Sequence, residues 1–154
     1  MTRAGLVFLA TLGSVALLGG ALAFQYIGGL LPCHLCLLQR YPHAVAIAIG
    51  VVALVIPWRV LPWAGALAAA ATSGLGVYHT GVERHWWAGP ASCTSSMTVQ
   101  GISAKDLLAH ILAAPVVRCD EAAWSFLHLS MASWNAIFSA VLVLVWIGAA
   151  LKTR

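Results

Sequence analysis

Charge is what this sequence has least of. Its 154 residues include four acidic side chains and eight lysines or arginines, 8% charged in all, with 62% hydrophobic. A soluble domain carries about 25% charged residues. So little charge excludes a water-solvated globule and places the chain in a lipid bilayer. The basic residues are scattered singly, so the formal charge of +4 forms no patch that could track phosphates, and a nucleic-acid partner is excluded. Internal repeats are absent, as is any low-complexity tract beyond alanine-rich helix. Cysteine is also scarce. Of four cysteines only Cys33 and Cys36 are closely spaced, and a four-cysteine zinc site needs a second close pair, so no metal is expected.

The hydrophobic residues fall into four runs, Ala4 to Tyr26, Leu35 to Ile56, Pro62 to Val82 and Met131 to Leu151. Each is near the roughly 20 residues that cross a hydrocarbon core. The expected fold is therefore an all-α integral membrane protein, a single membrane domain over residues 1–154 organised as a four-transmembrane-helix bundle. Between the second and third runs "PWRVLP" leaves room only for a tight return, so those spans form a hairpin. The start, "MTRAGLVFLATLGSVALLGGALAFQ", has the basic end, apolar run and Ala21-Leu22-Ala23 tripeptide of a signal peptide. Its apolar stretch is longer than a signal core, which favours a retained first helix.

One long hydrophilic segment remains, Glu83 to Ser130, too long for a turn and too short for a domain. Inside it "SAKD" at 103–106 reads as a capping box, Ser103 at the N-cap and Asp106 bonding back, followed by "LLAHILAA" and a stop at Pro115. Leu107, Leu108, Ile111 and Leu112 give this stretch an apolar face. The long extracytoplasmic loop is thus expected to carry a short amphipathic helix lying on the membrane surface.

With an even number of spans, Arg3, Arg59, Lys152 and Arg154 share one side, which holds no acid. The other side holds Arg40, Arg84, Lys105 and Arg118 with all four acids. Counting positive charges alone gives a tie, which tips toward cytoplasmic termini once Arg40 is set aside as functional. All four cysteines, Cys33, Cys36, Cys93 and Cys119, fall on the side opposite the termini, as expected if that side is the oxidising one.

"PCHLCLLQR", residues 32–40, carries the chemistry. Spacing alone leaves the three possible pairings of four cysteines open. Pro32 suits a first helical turn, which sets Cys33 and Cys36 at the N-terminus of the second span, where backbone N–H groups and the helix dipole lower thiol pKa values. A C-x-x-C disulfide closes too small a loop to stabilise a fold by much, so reactivity is the better reason for it than bracing. Arg40 follows Cys36 by one turn on the same face. It either stabilises negative charge at Cys36 or snorkels to the headgroups. His34 could assist a thiolate or be an idle loop residue, and His43 reads as a packing residue. His79 and His110 have no claim beyond packing or solvation. His85, in "GVERHWW", is the histidine favoured to bond a polar ligand. Trp58, Trp63, Trp86, Trp87 and Trp134 read mostly as an interfacial belt.

Three stretches, "PCHLCLLQR", "ERHWWAGPASC" and "CDEAAWSFLHLSMASWN", resemble in this order the DsbB family of bacterial disulfide bond formation proteins, and the resemblance covers essentially the whole chain. It implies a multi-pass protein of the bacterial inner membrane, with periplasmic cysteines, that reoxidises a periplasmic DsbA-like thioredoxin-fold protein and passes the electrons to quinone, either ubiquinone or menaquinone. It further implies that Cys93 forms the mixed disulfide with the partner and that Cys119 is its loop mate. Cys119 then exchanges with Cys33, freeing Cys36 to meet the quinone ring beside Arg40. His85 and Met131 would line the quinone site. A disulfide-braced scaffold without activity, or a redox sensor, are the alternatives.

Overall fold

The coordinates are a computed structural model, which describes residues 1–90, 93, 103, 105 and 117–152. The helix expected from Ser103 onward lies mostly outside the described residues. Four long helices carry the rest: α1 (Arg3–Tyr26), α2 (His34–Val55), α3 (Val60–Glu83) and α4 (Met131–Leu151). All four are long and apolar enough to cross a membrane, making this a multi-pass membrane protein.

Their ends are set by local chemistry. Thr2 caps α1 and Ser130 caps α4, their hydroxyls accepting from Gly5 N at 3.1 Å and Ser133 N at 3.2 Å. Cys33 caps α2 in the same manner, with a sulfur in place of the oxygen. Pro32 therefore precedes the cap instead of occupying the first turn. Helix α3 begins at Val60, two residues before the expected Pro62, because a proline in the first turn forfeits no intrahelical bond. Pro42 lies inside α2, which continues through it. Between the loop and α4, Ser125–Phe126 (β1) and Leu129–Ser130 (β2) pair antiparallel in a minimal hairpin, a departure from the all-α expectation. Its turn residues Leu127 and His128 take φ of 52° and 62°, and neither residue type signals such a turn in sequence.

The bundle closes as a ring in which each helix packs on two others, α1 on α2 and α4, α3 on α2 and α4. Small residues face inward and large ones outward: Ala10, Ala53, Ala66, Ala69 and Ala149 are buried, whereas Leu12, Val51, Leu67 and Leu144 are exposed. That is the arrangement lipid favours, since burying leucine against protein gains little over burying it against acyl chains, while small residues let helices approach closely. At Gly65 an added Cβ would come within 2.6 Å of the Trp146 ring, the largest fully buried side chain. At Gly50 it would meet Thr11 Oγ1 at 1.9 Å.

Arg3 fixes one end of the bundle, its guanidinium donating to Pro57 O at 3.0 Å and to Trp58 O in the α2–α3 return. The opposite end brings together the start of α2, the end of α3 and the start of α4, and there the cysteines gather.

Candidate functional site

The site grows from the cap of α2. Cys36 N–H donates to Cys33 Sγ at 3.1 Å, so the helix that positions Cys36 also folds the Cys33 sulfur back over its first turn. Both thiols are free. The Sγ atoms of Cys33 and Cys36 and a ring nitrogen of His79 all lie within 4.8 Å of one another. Cys33 is buried, and a hydrogen bond shared with the Cys36 side chain, reinforced by that burial, pushes its thiol well above the usual range. The helix-dipole expectation of a lowered Cys33 therefore fails. The cap position gives it one N–H, while burial and a second sulfur both favour its protonated form.

Behind Cys33 runs a chain of buried polar groups linking three helices. Asn135 Nδ2 on α4 donates to Gln39 Oε1 at 2.7 Å. Gln39 Nε2 on α2 donates to Leu35 O at 3.1 Å and meets His79 Nδ1 at 2.9 Å. His79 on α3 meets Cys33 Sγ through Nε2 at 3.5 Å. With Gln39 donating to Nδ1, the neutral ring carries its proton on Nε2, so the donors run in one direction toward the sulfurs. His43 extends the chain inward through Asn135 Oδ1 at 2.9 Å. Within the membrane such groups are tolerated because most of their polar atoms pair with one another, His43 Nδ1 being a buried exception. Glu83 ends α3 beside them, its Oε1 3.8 Å from His79 Nε2 and its Oε2 buried without a hydrogen-bond partner.

Cys93 and Cys119 form a disulfide, Cα atoms 5.3 Å apart. Both are buried in one cluster with Cys33, Leu35 and Val82, against which Cys36 and Val117 pack. His79 also reaches the backbone of Cys119, so it stands between the two cysteine pairs. Next to Cys119 the exposed Arg118 grips Asp120 through Nε at 2.9 Å and Nη2 at 2.6 Å, holding that carboxyl below the usual carboxylate range.

Both free thiols open on a cavity of about 320 Å³ lined by residues of α1, α2, α3, α4 and the loop. Phe24, Trp124, Trp134 and Phe138 wall one side, with ring centroids 5.2 Å apart for Phe24–Trp124 and 5.4 Å for Trp134–Phe138. Arg40 lines it as well. Its Nη1 donates to Gln25 Oε1 at 2.5 Å and its Nη2 to Ala21 O at 3.4 Å, and its Nε is buried with no partner. The guanidinium is thus held against α1 instead of reaching outward to headgroups.

A family model described as Disulfide bond formation protein DsbB matches residues 3–149. The chain belongs to the DsbB family. It is 28% identical over 154 residues to the disulfide bond formation protein B of Herminiimonas arsenicoxydans, covering 96% of this chain and 95% of that one. To the disulfide bond formation protein B of Aeromonas salmonicida (strain A449) it is 32% identical over 142 residues, covering 87% and 82%. To an uncharacterized protein of Rickettsia prowazekii (strain Madrid E) it is 27% identical over 138 residues, covering 88% and 80%. No solved structure matches at a significant level. DsbB membership, with its cysteine pairs, makes the chain a disulfide-forming membrane oxidoreductase.

Among the residues singled out in sequence, Cys33, Cys36, Arg40 and Met131 line the cavity, and Cys93 and Cys119 pack beside Cys33. His85 is not among the lining residues. It is exposed, with φ 56°, because it ends α3: His85 N–H bonds to Val82 O at 3.0 Å and Trp86 N–H to Gly81 O at 2.8 Å, the paired bonds of a Schellman cap whose left-handed position His85 fills. His34 is exposed as well. His79, read in sequence as packing or solvation, occupies the place beside the thiols. Trp134 lines the cavity and Trp146 is buried in the core. Gln39, which orients His79, and Asn135, which bonds Gln39, belong to no motif in the sequence. The only signal for them was two amides inside apolar runs, which membrane helices carry only with a partner.

Proposed function

We propose that this DsbB-family protein oxidises the dithiol of a periplasmic, DsbA-like thioredoxin-fold partner and delivers the electrons to quinone in the inner membrane. One observation carries the reading: a reduced Cys33–Cys36 pair packs against the Cys93–Cys119 disulfide on one side and opens on an apolar cavity on the other.

In the exchange steps, a partner thiolate attacks Cys93 Sγ and releases Cys119 as thiolate. Cys119 attacks Cys33 Sγ of the oxidised Cys33–Cys36 pair, releasing Cys36. The partner's second thiolate then displaces Cys93, leaving as the oxidised protein. Cys93 attacks Cys119 and frees Cys33. Net, the partner loses two electrons, the loop disulfide is restored and Cys33 and Cys36 are reduced, the redox state of the structure. Cys33, once released, takes up a proton because the neighbouring sulfur and burial disfavour its thiolate, so Cys36 is the thiolate at the cavity, supported by its place in the first turn of α2.

The cavity fits quinone. Its volume falls in the range of small-molecule sites, its aromatic wall suits a flat apolar ring, and Arg40 Nε supplies a buried donor lacking an acceptor, the complement of a ring carbonyl. Quinone, when bound, supplies a two-electron, two-proton acceptor. Cys36, Arg40 and Met131 would hold it, while α1 and the aromatic wall exclude water. The cysteine end then faces the periplasm and both termini the cytoplasm, within a single membrane domain.

The partner step is tested with a thioredoxin-fold substrate retaining only its attacking cysteine. It should be trapped as a mixed disulfide on a non-reducing gel by the wild type and not by Cys93→Ser. An adduct of equal yield on Cys93→Ser would overturn the assignment of Cys93.

A further inference from the structure

The cysteine pair and His79 form a group that electron transfer alone does not require. We infer that the reduced protein binds one thiophilic divalent cation, zinc or its like, through Cys33, Cys36 and His79. The three ligand atoms lie within 4.8 Å of one another, and Cys33 Sγ is 3.5 Å from His79 Nε2. Zinc bonds of about 2.3 Å to sulfur and about 2.05 Å to nitrogen, set at the tetrahedral angle, put those two atoms about 3.5 Å apart. Sequence spacing conceals the site, because its third ligand comes from α3 and no second close cysteine pair is involved.

Charge favours the same conclusion. Zinc displaces the protons of both thiols, which leave to solvent, and the two thiolates cancel its charge, so the three-ligand complex is neutral and a carboxylate as fourth ligand leaves a single negative charge. Glu83 offers a fourth, oxygen donor. Its side chain is 9% exposed, its Oε1 lies 3.8 Å from His79 Nε2, and its Oε2 has no hydrogen-bond partner. Binding through Nε2 moves the ring proton to Nδ1, which faces Gln39 Nε2 at 2.9 Å, so metal uptake requires the Gln39 amide to turn and give up its bonds to Leu35 O and Asn135 Nδ2. Two sulfurs and an imidazole select zinc over magnesium or calcium.

The site exists only while the pair is reduced, since a Cys33–Cys36 disulfide offers no thiolate. Zinc therefore holds the pair reduced and blocks turnover, a redox-gated inhibition that stands whether or not quinone is the electron acceptor.

The test is cobalt(II) and zinc(II) titration of the reduced, purified full chain. One equivalent of cobalt(II) should give the intense visible bands of tetrahedral cobalt with thiolate-to-metal charge transfer, and the oxidised chain none. Cys33→Ala and His79→Gln should each weaken zinc binding by about tenfold or more, and His79→Cys, which restores a donor, should recover the tetrahedral spectrum. Far-ultraviolet circular dichroism checks that each variant is folded. Undiminished binding in Cys33→Ala and His79→Gln would assign the metal to the loop thiols and overturn the inference, as would a faint octahedral spectrum or no uptake by the reduced wild type.

Discussion

At the scale of single residues, Arg40 separates two physical roles. It is tied to Gln25 and Ala21 of α1, it lines the cavity, and its Nε is buried without a partner. Loss of a charge-assisted hydrogen bond costs about 1.5–3 kcal/mol, so Arg40→Ala should raise the KM for quinone by about tenfold or more with both cysteine pairs still able to form disulfides, as counted by thiol alkylation. An unchanged KM would leave Arg40 as a mere anchor on α1. Cys33, Cys36 and Arg40 were legible in sequence because helical spacing alone relates them. His79 was not, since its partners Cys33 and Gln39 lie 46 and 40 residues away in the chain. His85 shows the converse: its place where the third span ends suggested a ligand-binding side chain, whereas the backbone uses it to end a helix.

At the scale of elements, the spans were legible to within two residues because run length and hydropathy decide them. The hairpin Ser125–Ser130 was not, because its turn residues Leu127 and His128 take positive φ without the glycine or asparagine that marks such a turn. Close packing of α3 on α4 gives a contrast within one helix. Gly65→Ala places a methyl 2.6 Å from the Trp146 ring and should destabilise the protein by about 1–3 kcal/mol. Gly74→Ala meets nothing within 4 Å and should stabilise it by about 0.5–1 kcal/mol through lower backbone entropy in the unfolded chain. Thermal unfolding in detergent measures both, and equal effects would mean that α3 and α4 do not meet at Trp146.

At the scale of the whole molecule, span parity alone put the four cysteines at one end. The cavity was illegible, because its walls come from all four helices and the loop and no local pattern encodes it. Which end faces the periplasm is checked by alkaline phosphatase fusions. A fusion at Gly89 should be active and one at Lys152 inactive, and the reverse pattern would invert the molecule.

The central claim is that electrons from a partner dithiol leave through Cys36 to quinone. Purified protein is mixed with ubiquinone and a reduced thioredoxin-fold substrate, and quinone absorbance is followed over time for the wild type and Cys36→Ser. Steady quinone loss in the wild type and a flat trace in the folded variant is the predicted result. Flat traces for both with ubiquinone and with menaquinone, or equal rates for the two proteins, would contradict it.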